Sequence, residues 1–268
     1  MQNQPYCMHI PDATPARLND TADDAAPQRL TWRRRPSGSY GRAVSLANAW
    51  EENARDWIAW ARTPMHDGFW DGTWPALREI MPQADGPVLD LGCGEGRAAR
   101  LLLAAGQQVV GVERSATLAR AAATGSPPVP VALADAAALP VADRSIGLVV
   151  ACMSLLDFDD LDGAVAETAR VLRPGGAFCL AIVHPFDSAQ DEHPPGGPYQ
   201  VSRPYRHTRR YDDHFERDGL AITIASMHRP LGAYTAALFA QGMVITELRE
   251  HGDREIPWLL VIRAQKCA

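Results

Sequence analysis

VLDLGCGEGR, residues 88–97, decides the fold. An apolar run from Val88 to Leu91 carries one acid, Asp90, and breaks into Gly92, Gly94 and Gly96 before a helical stretch begins. Glycines at such a turn permit positive φ and let a ligand approach the backbone closely. Glu113 lies 21 residues beyond Gly92, at the end of the next apolar run. There a carboxylate can accept both hydroxyls of a ribose. A dinucleotide loop reads G-x-G-x-x-G and leaves a helix N-terminus free for pyrophosphate. Here the spacing is G-x-G-x-G, and the preceding Asp90 repels phosphate but suits an ammonium group. Arg114 could suggest a 2′-phosphate, which its neighbour Glu113 makes unwelcome.

Outward from this loop, short apolar runs alternate with helical stretches. Strands are predicted at Val88 to Leu91, Gln108 to Val112, Val129 to Leu133, Ile146 to Cys152 and Ala177 to Val183. Helices are predicted near Arg97 to Ala105, Ser115 to Ala123 and Asp160 to Leu172, with Gly106, Pro174 and Gly175-Gly176 as stops. A further helix, LGAYTAALFAQG, precedes two strand-like runs, Met243 to Leu248 and Pro257 to Ala264. The rhythm predicts an α/β fold: a doubly wound, mostly parallel seven-stranded sheet with an antiparallel C-terminal hairpin.

Residues 37–87 read as a helical, Trp-rich N-terminal cap. In residues 43–62, Leu46, Trp50, Asn53, Trp57 and Trp60 recur at spacings of three and four. Trp70 and Trp74, in the loop-like stretch HDGFWDGTW, are candidates for lining a pocket. Residues 1–36, rich in Pro, Ala, Asp and Arg, read as a flexible tail, and the Arg33-Arg34-Arg35 run as a solvated cluster. Residues 88–268 form the ligand-binding domain, with a 184–230 insertion on its substrate side.

The chain has 268 residues, 46% apolar and 22% charged, with a formal net charge of -6. That charge provides no basic footprint for nucleic acid. The single lysine, Lys266, disfavours Schiff-base and P-loop chemistry. Five cysteines without C-x-x-C spacing fit a reducing compartment and a cytoplasmic location, and neither a signal peptide nor a membrane span is expected.

The glycine loop, its following acid and two further posts resemble the class I S-adenosylmethionine-dependent methyltransferases, of the small-molecule methyltransferase-11/25 type. The further posts are Asp135 in VALADAAALP and the turn VLRPGG at residues 171–176. The resemblance runs from about Trp50 to Lys266. It implies S-adenosylmethionine as cofactor and S-adenosylhomocysteine as product. Asp90 and Gly92 would hold the methionine part, Glu113 the ribose and Asp135 the adenine, with Ala136 as a backbone donor; Gly94 and Arg114 complete the expected cofactor-binding set.

Methyl transfer from a sulfonium mainly needs alignment, so strong acid–base groups are optional. SLLDF, residues 154–158, lacks the N/D-P-P-Y pattern of nucleic-acid amino methylation. Asp157, Asp159 and Asp160 read as an acidic cap on the next helix, and no metal site is expected. The 184–230 insertion holds five of the eight histidines and six prolines. His184, directly after the fifth strand, is the candidate to take an acceptor proton or orient the substrate; a hydrogen-bonded structural histidine is the other reading. Tyr199, Tyr205, His228 and Arg229 are further candidates for the acceptor. The sequence thus predicts methyl transfer to a small-molecule acceptor, with a peptide or protein acceptor, or a non-catalytic cofactor sensor, as alternatives.

Overall fold

The computed structural model describes residues 31–36, 45–190, 203–252 and 256–267. Seven strands form the main sheet: β2 (Val88–Leu91), β3 (Val109–Glu113), β4 (Val131–Leu133), β5 (Ile146–Cys152), β6 (Leu172–Val183), β9 (Met243–His251) and β10 (Leu259–Lys266). Their spatial order is β4-β3-β2-β5-β6-β10-β9. β4 through β6 run parallel, while β10 pairs antiparallel with both β6 and β9. The doubly wound sheet with its antiparallel C-terminal pair is the one the alternation predicts. From β2 the chain winds outward to β3 and β4, then returns to place β5 on the other side of β2. The glycine loop after β2 therefore opens at the point where the winding reverses, where crevices form at the carboxyl ends of strands.

The sheet is covered on both faces, as period-two side chains demand of buried strands. Leu89, Leu91, Val149, Phe178 and Leu180 pack into a core with α5 (Leu161–Val171) and α7 (Leu231–Ala240). Val88, Val109, Leu148, Val150 and Val261 face α2 (Trp74–Ile80), α3 (Arg97–Ala104) and α4 (Ala116–Ala123). Asp160 caps α5, its Oδ1 accepting the Gly163 N–H at 2.8 Å.

A second sheet differs from the sequence expectation. β1 (Thr31–Pro36) pairs antiparallel with β7 (Arg209–Arg217), which forms a hairpin with β8 (Leu220–His228). Thr31–Pro36 is thus a strand rather than the end of a tail, and Arg34 is buried rather than solvated. Its partner, Asp213, lies 179 residues away, beyond the reach of any local compositional argument. The described part of the 184–230 insertion is α6 (Pro185–Ser188) and this hairpin, not one long irregular connection. Asp218 and Gly219 both take positive φ at its tip, as a two-residue hairpin turn requires. Helix α1 (Leu46–Arg62) lies against β8, tied to it by the Trp50 Nε1–H donating to the Ala225 carbonyl at 3.1 Å. No helix among the described residues is long and apolar enough to cross a membrane.

Candidate active site at the carboxyl edge of the sheet

A cavity of about 1100 Å³ opens between the glycine loop, helix α1 and the three-stranded sheet. One half is built by the loop itself. Gly92 has φ +70°, and a Cβ there would lie 2.6 Å from the Ser154 Cβ, so only glycine lets the β2 and β5 loops meet. The Ser154 hydroxyl donates to the Leu91 carbonyl at 2.5 Å and fixes that meeting.

Glu113 organises the loop. Its Oε2 accepts the Gly94 N–H at 2.9 Å, and its Oε1 accepts the Arg114 and Ser115 N–H groups, each at 2.8 Å. Burial raises its pKa, and these N–H groups work against that rise. Since each carboxylate oxygen can accept two hydrogen bonds, Oε2 retains acceptor capacity. Asp90 is only 1% exposed, and neither of its oxygens has a hydrogen-bond partner. Burial pushes it up to about 7, with the Ala99 N–H, outside hydrogen-bond geometry, offsetting part of the rise and Glu113 adding to it. An unpartnered buried carboxylate on a cavity wall is a vacancy for a cation, since leaving such a group unsatisfied costs free energy.

Arg97 supplies the opposite charge. Its Nη2 pairs with the Asp67 carboxylate at 2.7 Å, and its guanidinium lies 4.0 Å from the Phe69 ring centroid and 5.2 Å from that of Trp57. Its Nη1 is buried without a hydrogen-bond partner. At the cavity mouth, Arg114 Nη1 and Asp135 Oδ2 form a 2.6 Å ion pair, and Asp135 Oδ1 accepts the Ala137 N–H at 2.9 Å. Asp90, Gly92, Gly94, Glu113, Arg114, Asp135 and Ala136 all line this cavity. Glu51 of α1 clamps the cap over it, accepting from the hydroxyls of Ser115 and Thr117, which holds its carboxyl below the usual range.

The other half lies under the three-stranded sheet. Strand alternation turns Tyr211, Asp213 and Phe215 of β7, with Ile224 and Ser226 of β8, toward the cavity. Arg34 of β1 stands directly opposite Asp213 and binds it bidentately, Nε to Oδ1 at 2.7 Å and Nη2 to Oδ2 at 2.9 Å. Its Nη1 donates to the Asp187 and Gln190 carbonyls. Asp157 completes this wall, its Oδ1 accepting the Ser226 hydroxyl at 2.6 Å.

The acceptor candidates chosen from sequence are mostly elsewhere. His184 caps α6: its Nδ1 accepts the Phe186 N–H at 3.1 Å while its Nε2 contacts Glu250 at 2.9 Å, so both ring nitrogens are engaged away from the cavity. His228 is fully buried between the Ser188 hydroxyl at 2.7 Å and the Tyr205 carbonyl at 2.8 Å, and burial pushes it down to about 4, which keeps it neutral. The Tyr205 hydroxyl accepts the Leu231 N–H at the start of α7. Arg229 donates to the Leu156 and Phe158 carbonyls and so braces the loop after β5 from behind. Trp70 is half exposed and Trp74, the first residue of α2, packs partly buried against the core; neither lines the cavity, whereas Trp50, Trp57, Trp60 and Trp258 do. Tyr199 lies outside the described residues. Among the described residues no group of three His, Cys, Asp or Glu side chains is placed to hold a metal ion. Sequence reasoning missed Arg34, Tyr211, Asp213 and Arg97, and it took Asp157 for part of a cap. The Asp218-Gly219 pair between two alternating runs was the available signal for the hairpin.

Residues 89–180 match the model of a methyltransferase domain family. The chain is 35% identical over 111 residues to a ubiquinone/menaquinone biosynthesis C-methyltransferase of Rubrivivax gelatinosus, covering 41% of this chain and 44% of that protein. It is 29% identical over 181 residues to a Mycolicibacterium smegmatis protein named "probable S-adenosylmethionine-dependent methyltransferase", covering 64% and 66% respectively. The matched stretches thus span less than two thirds of these relatives. Among solved structures, an S-adenosylmethionine-dependent methyltransferase from Mesorhizobium loti superposes with a TM-score of 0.59 at 24% identity, covering 72% of this chain and 97% of that one, and so shares the fold. Sheet order, glycine loop and family match agree: residues 89–180 match a methyltransferase domain, set in the fold that the Mesorhizobium loti structure shares.

Proposed function

We propose that this chain transfers the methyl group of S-adenosylmethionine to a small-molecule acceptor held under the three-stranded sheet. The observation that carries this reading is the single cavity of about 1100 Å³ running from the glycine loop to that sheet. One ligand site commonly occupies roughly 300 to 1,000 Å³. This volume leaves space for an acceptor beside the cofactor. The donor set fits the group: Asp90 for the ammonium of the methionine part, Arg97 Nη1 for its carboxylate, Glu113 for the ribose, and Asp135 with the Ala136 backbone for the adenine. Bound S-adenosylmethionine supplies an electrophilic methyl on a positively charged sulfur. The chain's own work is to orient the two ligands, exclude water and receive a proton where the acceptor carries one.

A net charge of -6 and a wall rich in carboxylates argue against a nucleic-acid acceptor. The four described cysteines are all unpaired, which suits a reducing compartment such as the cytoplasm. Incubation with methyl-labelled S-adenosylmethionine and separate metabolite and peptide panels tests the reading. Label should enter a small molecule. Label in peptides alone, or cofactor binding with no transfer to any panel member, would instead identify a peptide-modifying enzyme or a sensor.

A further inference from the structure

Aromatic rings from four separate stretches of chain meet on the wall of the cavity. Trp57 and Trp60 come from α1, Phe69 from the turn before α2, Phe215 from β7 and Trp258 from the segment between β9 and β10. Trp57 and Trp60 stand three residues apart and so share a helix face. Phe215 follows Tyr211 and Asp213 in the alternation that turns all three toward the same space. The rings bridge the two halves of the cavity. The Trp57 Nε1 lies 3.7 Å from where a Cβ on Gly94 would stand, and Trp60 reaches Phe215 in the roof, their ring centroids 6.1 Å apart at 46°.

The backbone around these rings is arranged to hold them. Between Gly68 and Thr73 it makes a π-type turn: the Thr73 N–H donates to the Gly68 carbonyl, five residues earlier, at 2.8 Å. Such turns recur at functional sites. Trp258 lies against this turn so closely that a Cβ on Gly72 would come within 2.8 Å of its Cζ2. The Trp258 N–H donates to the His251 carbonyl at 3.1 Å, and the Trp258 carbonyl accepts the His184 N–H at 2.8 Å, which fixes the backbone that carries the indole.

Polar side chains on the same wall already have protein partners: Asp213 binds Arg34, Asp157 accepts the Ser226 hydroxyl, Arg97 pairs with Asp67, and Asp159 accepts the Leu46 N–H at 3.0 Å. Trp57, Phe215 and Trp258 are only partly buried although they line the cavity. Ring surface therefore remains for a ligand to cover. A second aromatic ring covers it with offset or edge-on contacts that a saturated one cannot make. A polyol would have to give up water against ring faces that return no hydrogen bond of comparable strength.

We propose that the acceptor carries a flat aromatic ring system, seated among Trp57, Trp60, Phe215 and Trp258 beside the glycine loop. The inference rests on the methyl-transfer reading above and names its substrate class.

The test is calorimetry on the full chain loaded with S-adenosylhomocysteine, titrated with naphthol, naphthoate and naphthylmethylamine, each against its decahydro counterpart. The pairs share skeleton and polar group and differ in the ring alone. In the pair that binds most tightly, the aromatic member should bind at least about fivefold better than the saturated one. Phe215→Leu keeps apolar bulk and removes the ring; it should weaken the aromatic member by about threefold or more and leave the saturated member unchanged. Phe215→Tyr should restore the parent affinity to within about twofold, and both variants should bind S-adenosylhomocysteine within about twofold of the parent. Equal or tighter binding of the saturated members, no binding by any aromatic member, or a Phe215→Leu loss that falls equally on both members of a pair would overturn the proposal. Failure of the parent to bind S-adenosylhomocysteine would sink the methyl-transfer reading and this inference with it, whereas loaded protein without a ring preference sinks the inference alone.

Discussion

Glu113→Ala lowers affinity for S-adenosylmethionine by roughly a hundredfold or more, because a buried carboxylate contributes about 1.5–3 kcal/mol for each hydrogen bond it accepts. Two losses combine. The ribose hydroxyls lose a charged acceptor, and the Gly94, Arg114 and Ser115 N–H groups lose the oxygens that hold the loop in its bound shape. Arg97→Ala should cost less, about tenfold, since it removes one charge facing a carboxylate at a site that water can enter. Calorimetry with S-adenosylhomocysteine checks both, with thermal unfolding alongside to separate binding from folding. An unchanged affinity in Glu113→Ala contradicts the assignment of the ribose post.

Arg34→Ala should destabilise the protein by about 3–5 kcal/mol, the usual consequence of leaving one member of a buried ion pair alone. The Arg34 side chain is 3% exposed and that of Asp213 10%, so water cannot replace the lost partner cheaply. The Asp187 and Gln190 carbonyls lose their donor as well, and the Tyr211 ring loses the guanidinium 4.4 Å from its centroid. Arg34 joins β1 to β7 across 179 residues of chain, so the damage should centre on the roof of the cavity. For a protein of this size the midpoint of thermal unfolding should fall by about 10 °C. Pairing Arg34→Met with Asp213→Leu should recover most of that loss, because apolar replacement of both partners avoids the stranded charge. A single variant within about 1 kcal/mol of the parent would show that the pair does not hold the roof.

The parallel half of the fold was legible because its signals are local. Val88 to Leu91 and Ile146 to Cys152 are strands at the predicted limits, and Arg97 and Leu161 begin helices within one residue of expectation. Asp90 and Glu113 followed from spacing along the chain and Asp135 from the family resemblance, and the structure brings all three to one cavity. The roof was not legible, for a physical reason. β7 reads RRYDDHFER, a run with few apolar residues, because one of its faces carries Arg210, Asp212 and His214 while the other carries the buried Tyr211 and Asp213. Its buried Asp213 is held by Arg34, which composition assigns to a tail. His184 misled for the converse reason: its place after a central strand is correct, but its ring turns to cap α6 and meet Glu250. Position along a strand locates a residue at the edge of the sheet and leaves open which way its side chain faces.

The central claim is that one cavity holds cofactor and acceptor in line, and a crystal structure of the S-adenosylhomocysteine complex tests it most directly. The account predicts the homocysteine ammonium on Asp90, its carboxylate near Arg97 Nη1, the ribose on Glu113, and the sulfur facing open volume beneath Tyr211 and Asp157. A ligand bound outside this cavity, or a sulfur sealed from the three-stranded sheet by protein atoms, would contradict it.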